Sequence, residues 1–216
     1  MDYREGELVE IFMEYNSCSL SEATNYVQKE NRDVFDLNIR LGINATDISI
    51  NSTAPGFSNQ NNFGNQVNFR GGVELELYLP FNKNRWAFLF EADYFTYQAE
   101  VPLQATTAQN LGRLDLKYIE VLIGVRYYYA LNENQKLFAN LSYALYFDRN
   151  SSLVFGTQRI GIKNADSWLF GLGYKHNNKY QVEVRYSNVS PFFYLNEVFF
   201  QTDYSQLTFT LGYNLF

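Results

Sequence analysis

The stretch VNFRGGVELELYLP, Val67–Pro80, decides the fold class. Val67, Phe69, Gly71, Val73, Leu75, Leu77 and Leu79 alternate with Asn68, Arg70, Gly72, Glu74, Glu76 and Tyr78. A period of two held this long is a β-strand with one apolar and one polar face. The polar face carries charges mid-strand, so it meets either water or charges of opposite sign.

The same period runs outward in both directions. Upstream, Phe35, Leu37, Ile39, Leu41 and Ile43 oppose Asp36, Asn38, Arg40 and Gly42. Downstream, Trp86, Phe88, Phe90, Ala92 and Tyr94 oppose Glu91, Asp93 and Phe95. Ile119, Val121, Ile123, Val125 and Tyr127 oppose Glu120, Gly124 and Arg126. The earlier half of that strand, Leu114, Leu116 and Tyr118, is one residue out of phase, which predicts a β-bulge near Tyr118–Ile119. Further strands follow along Leu137–Phe147, Trp168–Tyr174, Tyr180–Tyr186 and Leu207–Leu215, making eight. Most are long enough for the roughly 9–11 residues with which a tilted strand crosses a bilayer.

The connections alternate long and short: 44–65, 80–85, 102–112, 130–135, 148–165, 175–179 and 190–203. Pro55, Pro80, Pro102 and Pro191 all fall in them, where a missing N–H harms no ladder. Before the first strand, Leu8, Ile11, Phe12 and Tyr15 form a helical stripe. Ser19 and Glu22 have capping-box spacing, with Leu20, Ala23 and Val27 on one side of a second helix. The expected organisation is a helical hairpin over 1–31 and a barrel over 32–216.

Composition narrows the function. The chain has 216 residues and a net charge of −6, with no basic run, which argues against nucleic-acid binding. One cysteine, Cys18, and one histidine, His176, exclude an internal disulfide and a Cys/His zinc cluster. No apolar run approaches the roughly 20 residues of a membrane helix, and the first residues lack a signal-peptide core.

Eight alternating strands close equally well into a soluble carrier with an apolar inside or a membrane barrel with the reverse polarity. Three features choose the membrane. Gly42, Gly72, Gly124, Gly171, Gly173 and Gly212 lie on the polar face, where a narrow lumen needs small residues and a wet surface does not. That face pairs Asp36, Glu74, Glu76, Glu91, Asp93, Glu120 and Glu183 with Arg40, Arg70, Arg126 and Arg185, a set suited to bidentate ion pairs. Trp86, Tyr127, Tyr129, Trp168, Tyr174, Tyr180 and Tyr213 stand on the apolar face near strand ends, as aromatic girdles at the two interfaces. The expected fold is therefore an all-β, eight-stranded antiparallel up-and-down transmembrane β-barrel with a short N-terminal helical segment.

IEVLIGVRYYYAL (Ile119–Leu131), WLFGLGY (Trp168–Tyr174) and LTFTLGYNLF (Leu207–Phe216), with the long and short connections, resemble the bacterial outer-membrane β-barrel domain family. Its small members are similar to OmpA/OmpX-type and PorT-like barrels. The resemblance covers about residues 33–216. It implies a Gram-negative outer membrane, lipid as the surrounding partner, and recognition of the last strand and its terminal Phe by the barrel-assembly machinery. Phe216 falls one residue out of phase with Leu215 and Tyr213. VEIFMEYNSCSLSEATNY resembles the tail of a periplasmic region that precedes some barrels, in which case a signal peptide was removed upstream.

Short turns then face the periplasm, long loops the exterior, and Asp33 and Phe216 share the periplasmic side. The inward charges are expected to form a salt-bridged plug; a gated ion path is the other reading. His176 sits in a short turn as an exposed residue, so no enzyme and no cofactor are expected. The Asn-X-Ser/Thr matches at Asn44, Asn51, Asn140, Asn150 and Asn188 are chance, and Cys18 belongs to the helical hairpin. Loops Asn51–Phe63 and Thr157–Asp166, or the hairpin, suit a surface or periplasmic protein partner. The expected role is structural or one of envelope interaction, in a monomer. A narrow pore for small solutes is the alternative, and a soluble lipocalin-like carrier a third.

Overall fold

A computed structural model describes residues 11–15, 34–52, 60–102, 111–155, 158–160, 165–189 and 200–216. The chain divides into two compact units, Met1–Asp33 and Val34–Phe216. In the first, residues 11–15 are helical; the expected second helix lies outside the described residues. No helix among the described residues is long and apolar enough to cross a membrane.

The second unit is a wall of antiparallel strands. They are β1 (Phe35–Ser52), β2 (Gln60–Tyr78), β3 (Trp86–Pro102), β4 (Leu111–Ala130), β5 (Gln135–Asp148), β6 (Ser152–Phe155), β7 (Gln158–Ile160), β8 (Ala165–His176), β9 (Tyr180–Val189) and β10 (Phe200–Asn214). Each long strand pairs with its neighbour in sequence, and β1 pairs with β10 from Asn38↔Asn214 to Ser52↔Phe200, so eight strands close into a barrel. The short strands β6 and β7 form a hairpin that adds to the upper part of β4, at Gly112↔Phe155 through Asp115↔Ser152. They occupy the connection 148–165, which the sequence reads as plain loop. Likewise β1 and β2 run on through Ser52 and Gln60, deep into the stretch 44–65 expected to be a loop.

The bulge expected near Tyr118–Ile119 is absent. The β3–β4 ladder runs from Trp86↔Tyr127 to Pro102↔Leu111 without a register shift. What changes along β4 is its surroundings. The strand has 20 residues; at about 3.3 Å each and a tilt near 40° it rises about 50 Å, twice an apolar band about 25 Å tall. Beside the band, Ile119, Val121, Ile123 and Val125 face outward and Glu120 and Arg126 inward. Beyond it the polarity reverses: Arg113, Asp115 and Lys117 face outward, while Leu114, Leu116 and Tyr118 are buried inside. Among the described ladders the register shifts between β1 and β2, after Ile48. Gly64 takes φ +71° there, the left-handed conformation that a bulge of this kind requires.

Candidate functional site

Alternation points one residue in two of every strand into the lumen, where the eight-stranded cross-section leaves room only for side chains. Close approach between strands is made at glycines. A Cβ on Gly72 would lie 2.2 Å from the Ala92 carbonyl oxygen, and one on Gly124 would lie 2.2 Å from Ser142 Oγ.

All eleven charged residues expected to face inward are buried there: Asp36, Arg40, Arg70, Glu74, Glu76, Glu91, Asp93, Glu120, Arg126, Glu183 and Arg185. They form one chain of alternating sign along the barrel. Arg70 bonds Asp93 and, at 2.7 Å, Glu120. Arg185 bonds Glu91 at 2.9 Å and Glu183 at 2.7 Å. Arg40 bridges Glu183 and Glu74, the latter at 3.3 Å. Arg126 holds Glu74 at 2.8 Å, Glu183 at 3.1 Å and also Glu76.

The chain of charges ends on a residue that the sequence reading left in a turn. Lys175 is the last but one residue of β8 and fully buried, 2.6 Å from Asp36 and 3.4 Å from Glu76. Its parity with the inward Gly171 and Gly173 was the available signal. With it, the described lumen holds seven carboxylates and five cations. Neutral partners add to the coordination of three of the carboxylates: Asn38 donates to Glu74 and Glu76 at 3.1 and 3.2 Å, Gln181 to Glu76 at 2.9 Å, and Asn140 to Glu183 at 3.0 Å.

An aromatic layer lies at each end of this network. Toward the short turns, Tyr128 packs on Phe138 (5.7 Å between ring centroids) and on Tyr78 (5.9 Å), and the Arg126 guanidinium lies 4.2 Å over the Phe138 ring. Toward the long loops, Phe95, Tyr118 and Tyr146 meet pairwise at 6.0–6.2 Å, joined by Ile48, Tyr97, Leu114, Leu116, Leu169 and Tyr204 in one buried apolar cluster.

Outside, the wall is the reverse of a soluble surface. Leu41, Phe69, Ile123, Phe170, Leu172 and Leu211 are among the apolar side chains left exposed, Phe69 at 84 %. Contiguous apolar surface of this extent marks an interface, here one that encircles the barrel.

No protein-family profile and no curated protein sequence matches the chain. Its likeness is to solved structures. The outer membrane protein OprG from Pseudomonas aeruginosa superposes with a TM-score of 0.54 at 12 % identity, over 83 % of this chain and 95 % of OprG. The chain has the fold of the small outer-membrane β-barrels. Two more such barrels superpose less closely. Ail of Yersinia pestis, solved with the heparin analogue sucrose octasulfate, gives a TM-score of 0.46 at 15 % identity, over 84 % of this chain and 99 % of Ail. The neisserial surface protein A gives 0.46 at 11 %, over 82 % and 97 %.

In this outer-membrane-type barrel the seven aromatics named from the sequence divide unevenly. Trp86, Tyr127, Tyr129, Tyr174, Tyr180 and Tyr213 lie at the short-turn end, where Trp86 packs on Tyr127 at 5.0 Å and Tyr180 on Tyr213 at 5.5 Å. Trp168 stands toward the long loops, 5.2 Å from Tyr143. Tyr94, Tyr143 and Tyr186 also face outward in that half, and the sequence reading missed them because they sit in mid-strand. Phe216 lies beyond the last strand residue, so strand parity does not bind it: its ring meets the outward Phe35 edge-on at 6.1 Å. His176 stacks on Tyr174 with Nδ1 3.3 Å from the phenol oxygen, at the rim. Among the described residues no cluster of His, Cys, Asp or Glu is arranged to hold a metal ion.

Proposed function

We propose that the chain is an integral outer-membrane protein with a filled, non-conducting barrel, and that its role is non-enzymatic, in envelope structure or surface interaction. The observation that carries this reading is the lumen. A chain of ion pairs, with Arg126, Glu74, Glu76 and Glu120 at zero exposure, is closed by packed aromatic layers on both sides. A water-sized path would leave some of these groups accessible. The exposed apolar wall supports membrane residence, since polar lipid-facing residues are costly and water-facing apolar bands of this size aggregate.

The orientation proposed places the short turns and both Val34 and Phe216 in the periplasm. The extended upper halves of β1–β4 and β10 then stand beyond the membrane with an apolar core of their own. They form a rigid base for the long loops, which is where a surface partner would be met. A periplasmic partner would instead meet residues 1–31. Insertion would use the barrel-assembly machinery through β10, and the protomer would act as a monomer.

The test is conductance. The full chain, refolded and added to a planar bilayer, should leave the current at the level of a protein-free bilayer. Reproducible ohmic steps would overturn the filled-barrel reading and favour a narrow pore.

A further inference from the structure

Two cations oppose each other where β5 leaves β4. One step past Tyr118↔Asp148 the register sets Lys117 opposite Arg149, and the Arg149 N–H donates to the Lys117 carbonyl at 2.8 Å. Residues so opposed hold their Cβ atoms about 5 Å apart, where like charges destabilise the pair. The chain pins the arrangement all the same. The Lys117 N–H donates to Ser151 Oγ at 2.8 Å, the Ser151 N–H donates to Asp148 Oδ1 at 2.9 Å, and Asn150 turns the chain with φ +64°. Nearby acids do little to cancel the two charges. Asp115 lies 3.8 Å from the Lys117 ammonium and also accepts from Gln98 at 3.4 Å. Arg149 is exposed and has no ion-pair partner among the described residues.

Their height on the wall places them at the edge of the lipid. Tyr127, in the aromatic row of the short-turn end, is ten residues from Lys117 on β4. That is about 33 Å along the strand and about 25 Å of rise at a tilt near 40°, the height of the apolar band. The outward row directly below is Tyr94, Ile119 and Phe147, ladder partners on β3, β4 and β5, with Tyr94 and Phe147 exposed. Lys117 shares the outward parity of Ile119, and Arg149 that of Phe147. Thr96, the partner of Lys117 on β3, adds a hydroxyl-bearing residue to the same row. The two cations thus stand on the lipid face, on the long-loop side, one row above hydrocarbon.

We propose that Lys117 and Arg149 hold the terminal phosphate of a phosphomonoester lipid whose acyl chains lie along Tyr94, Ile119 and Phe147. The proposal rests on the membrane reading above. A phosphate monoester carries about −1.5 to −2 at neutral pH, the charge that an ammonium and a guanidinium together complement. A singly charged phosphodiester leaves one of them unmatched. The guanidinium fork fits two phosphate oxygens at once, and the lysine supplies the second point charge. The apolar row beneath commits the site to a lipid, because a soluble phosphate ester meets the cations but gains nothing from that row.

The experiment starts with the full chain refolded into phosphatidylcholine vesicles that contain equal parts of phosphatidic acid, a monoester, and phosphatidylglycerol, a diester. Flotation with the vesicles is read first. A chain that sediments alone defeats the membrane reading itself. The floated protein is then extracted in mild detergent and its retained lipid identified by native mass spectrometry. Phosphatidic acid should be retained over phosphatidylglycerol by about fivefold or more, as one further charge matched beside Lys and Arg should give. Lys117→Gln with Arg149→Gln should make retention of the two equal. Lys136→Gln with Lys179→Gln, at the short-turn end, should leave the preference unchanged. Glycerol phosphate added during extraction should not displace the lipid; displacement would overturn the assignment to a lipid. If the Lys117 and Arg149 double variant fails to float, the preference of the unmodified chain decides alone. Floated protein that retains neither lipid, retains both equally, or keeps its preference without Lys117 and Arg149 overturns the proposal while leaving the membrane reading intact.

Discussion

Arg126 shows what a residue in a filled lumen has to do. Its guanidinium contacts Glu74, Glu76, Glu183 and Gln181 and stacks over Phe138. Removing one partner of a buried network leaves charges that have neither water nor counter-ion, at about 3–5 kcal/mol. Arg126→Ala should therefore lower the unfolding free energy in lipid by that amount in urea titrations. A loss below about 1 kcal/mol would mean that water reaches the site. Gly72 makes the complementary case through its close approach to Ala92 and Asp93. Gly72→Ala should cost about 1–3 kcal/mol, as overpacking does, and reduce the yield of refolded barrel. The inward charges were legible in the sequence because each opposes an apolar neighbour in a period of two. Lys175 was not, because it sits one residue from the end of β8, where parity and turn composition compete.

At the scale of the element, β4 shows where alternation misleads. Leu114, Leu116 and Tyr118 shift the apolar phase by one, which in a strand of uniform surroundings means a bulge. The ladder is regular, and the environment outside it passes from hydrocarbon to water. Periodicity reports which residues share a face but not what that face touches. Cysteine accessibility locates the boundary. In a Cys18→Ser background, Lys117→Cys in vesicle-inserted protein should react promptly with a membrane-impermeant maleimide, and Ile123→Cys should stay protected. Equal labelling of both would remove the band edge from between them. The same passage from lipid to water explains the long strands: β1, β2, β3 and β4 outlast the band, whereas β9, with 10 residues, spans little more than it.

For the whole molecule, eight strands and closure were readable because each strand repeats the pattern independently and the connections alternate in length. The hairpin β6–β7 was not, since strands of four and three residues carry too little periodicity to register. The partition of long and short connections yields a further expectation. Protease added outside intact cells should cut in 103–110 or 190–199 and spare the short turns at 131–134 and 177–179. Cleavage confined to the short turns would invert the proposed orientation.

The central claim is a closed barrel that presents its apolar face to lipid. Its most direct test is the gel mobility of detergent-refolded protein, boiled and unboiled, beside its solubility in plain buffer. A closed membrane barrel should migrate differently before and after boiling and should precipitate once detergent is withdrawn. Monodisperse protein in buffer with a single, heat-independent mobility would contradict the assignment of the faces.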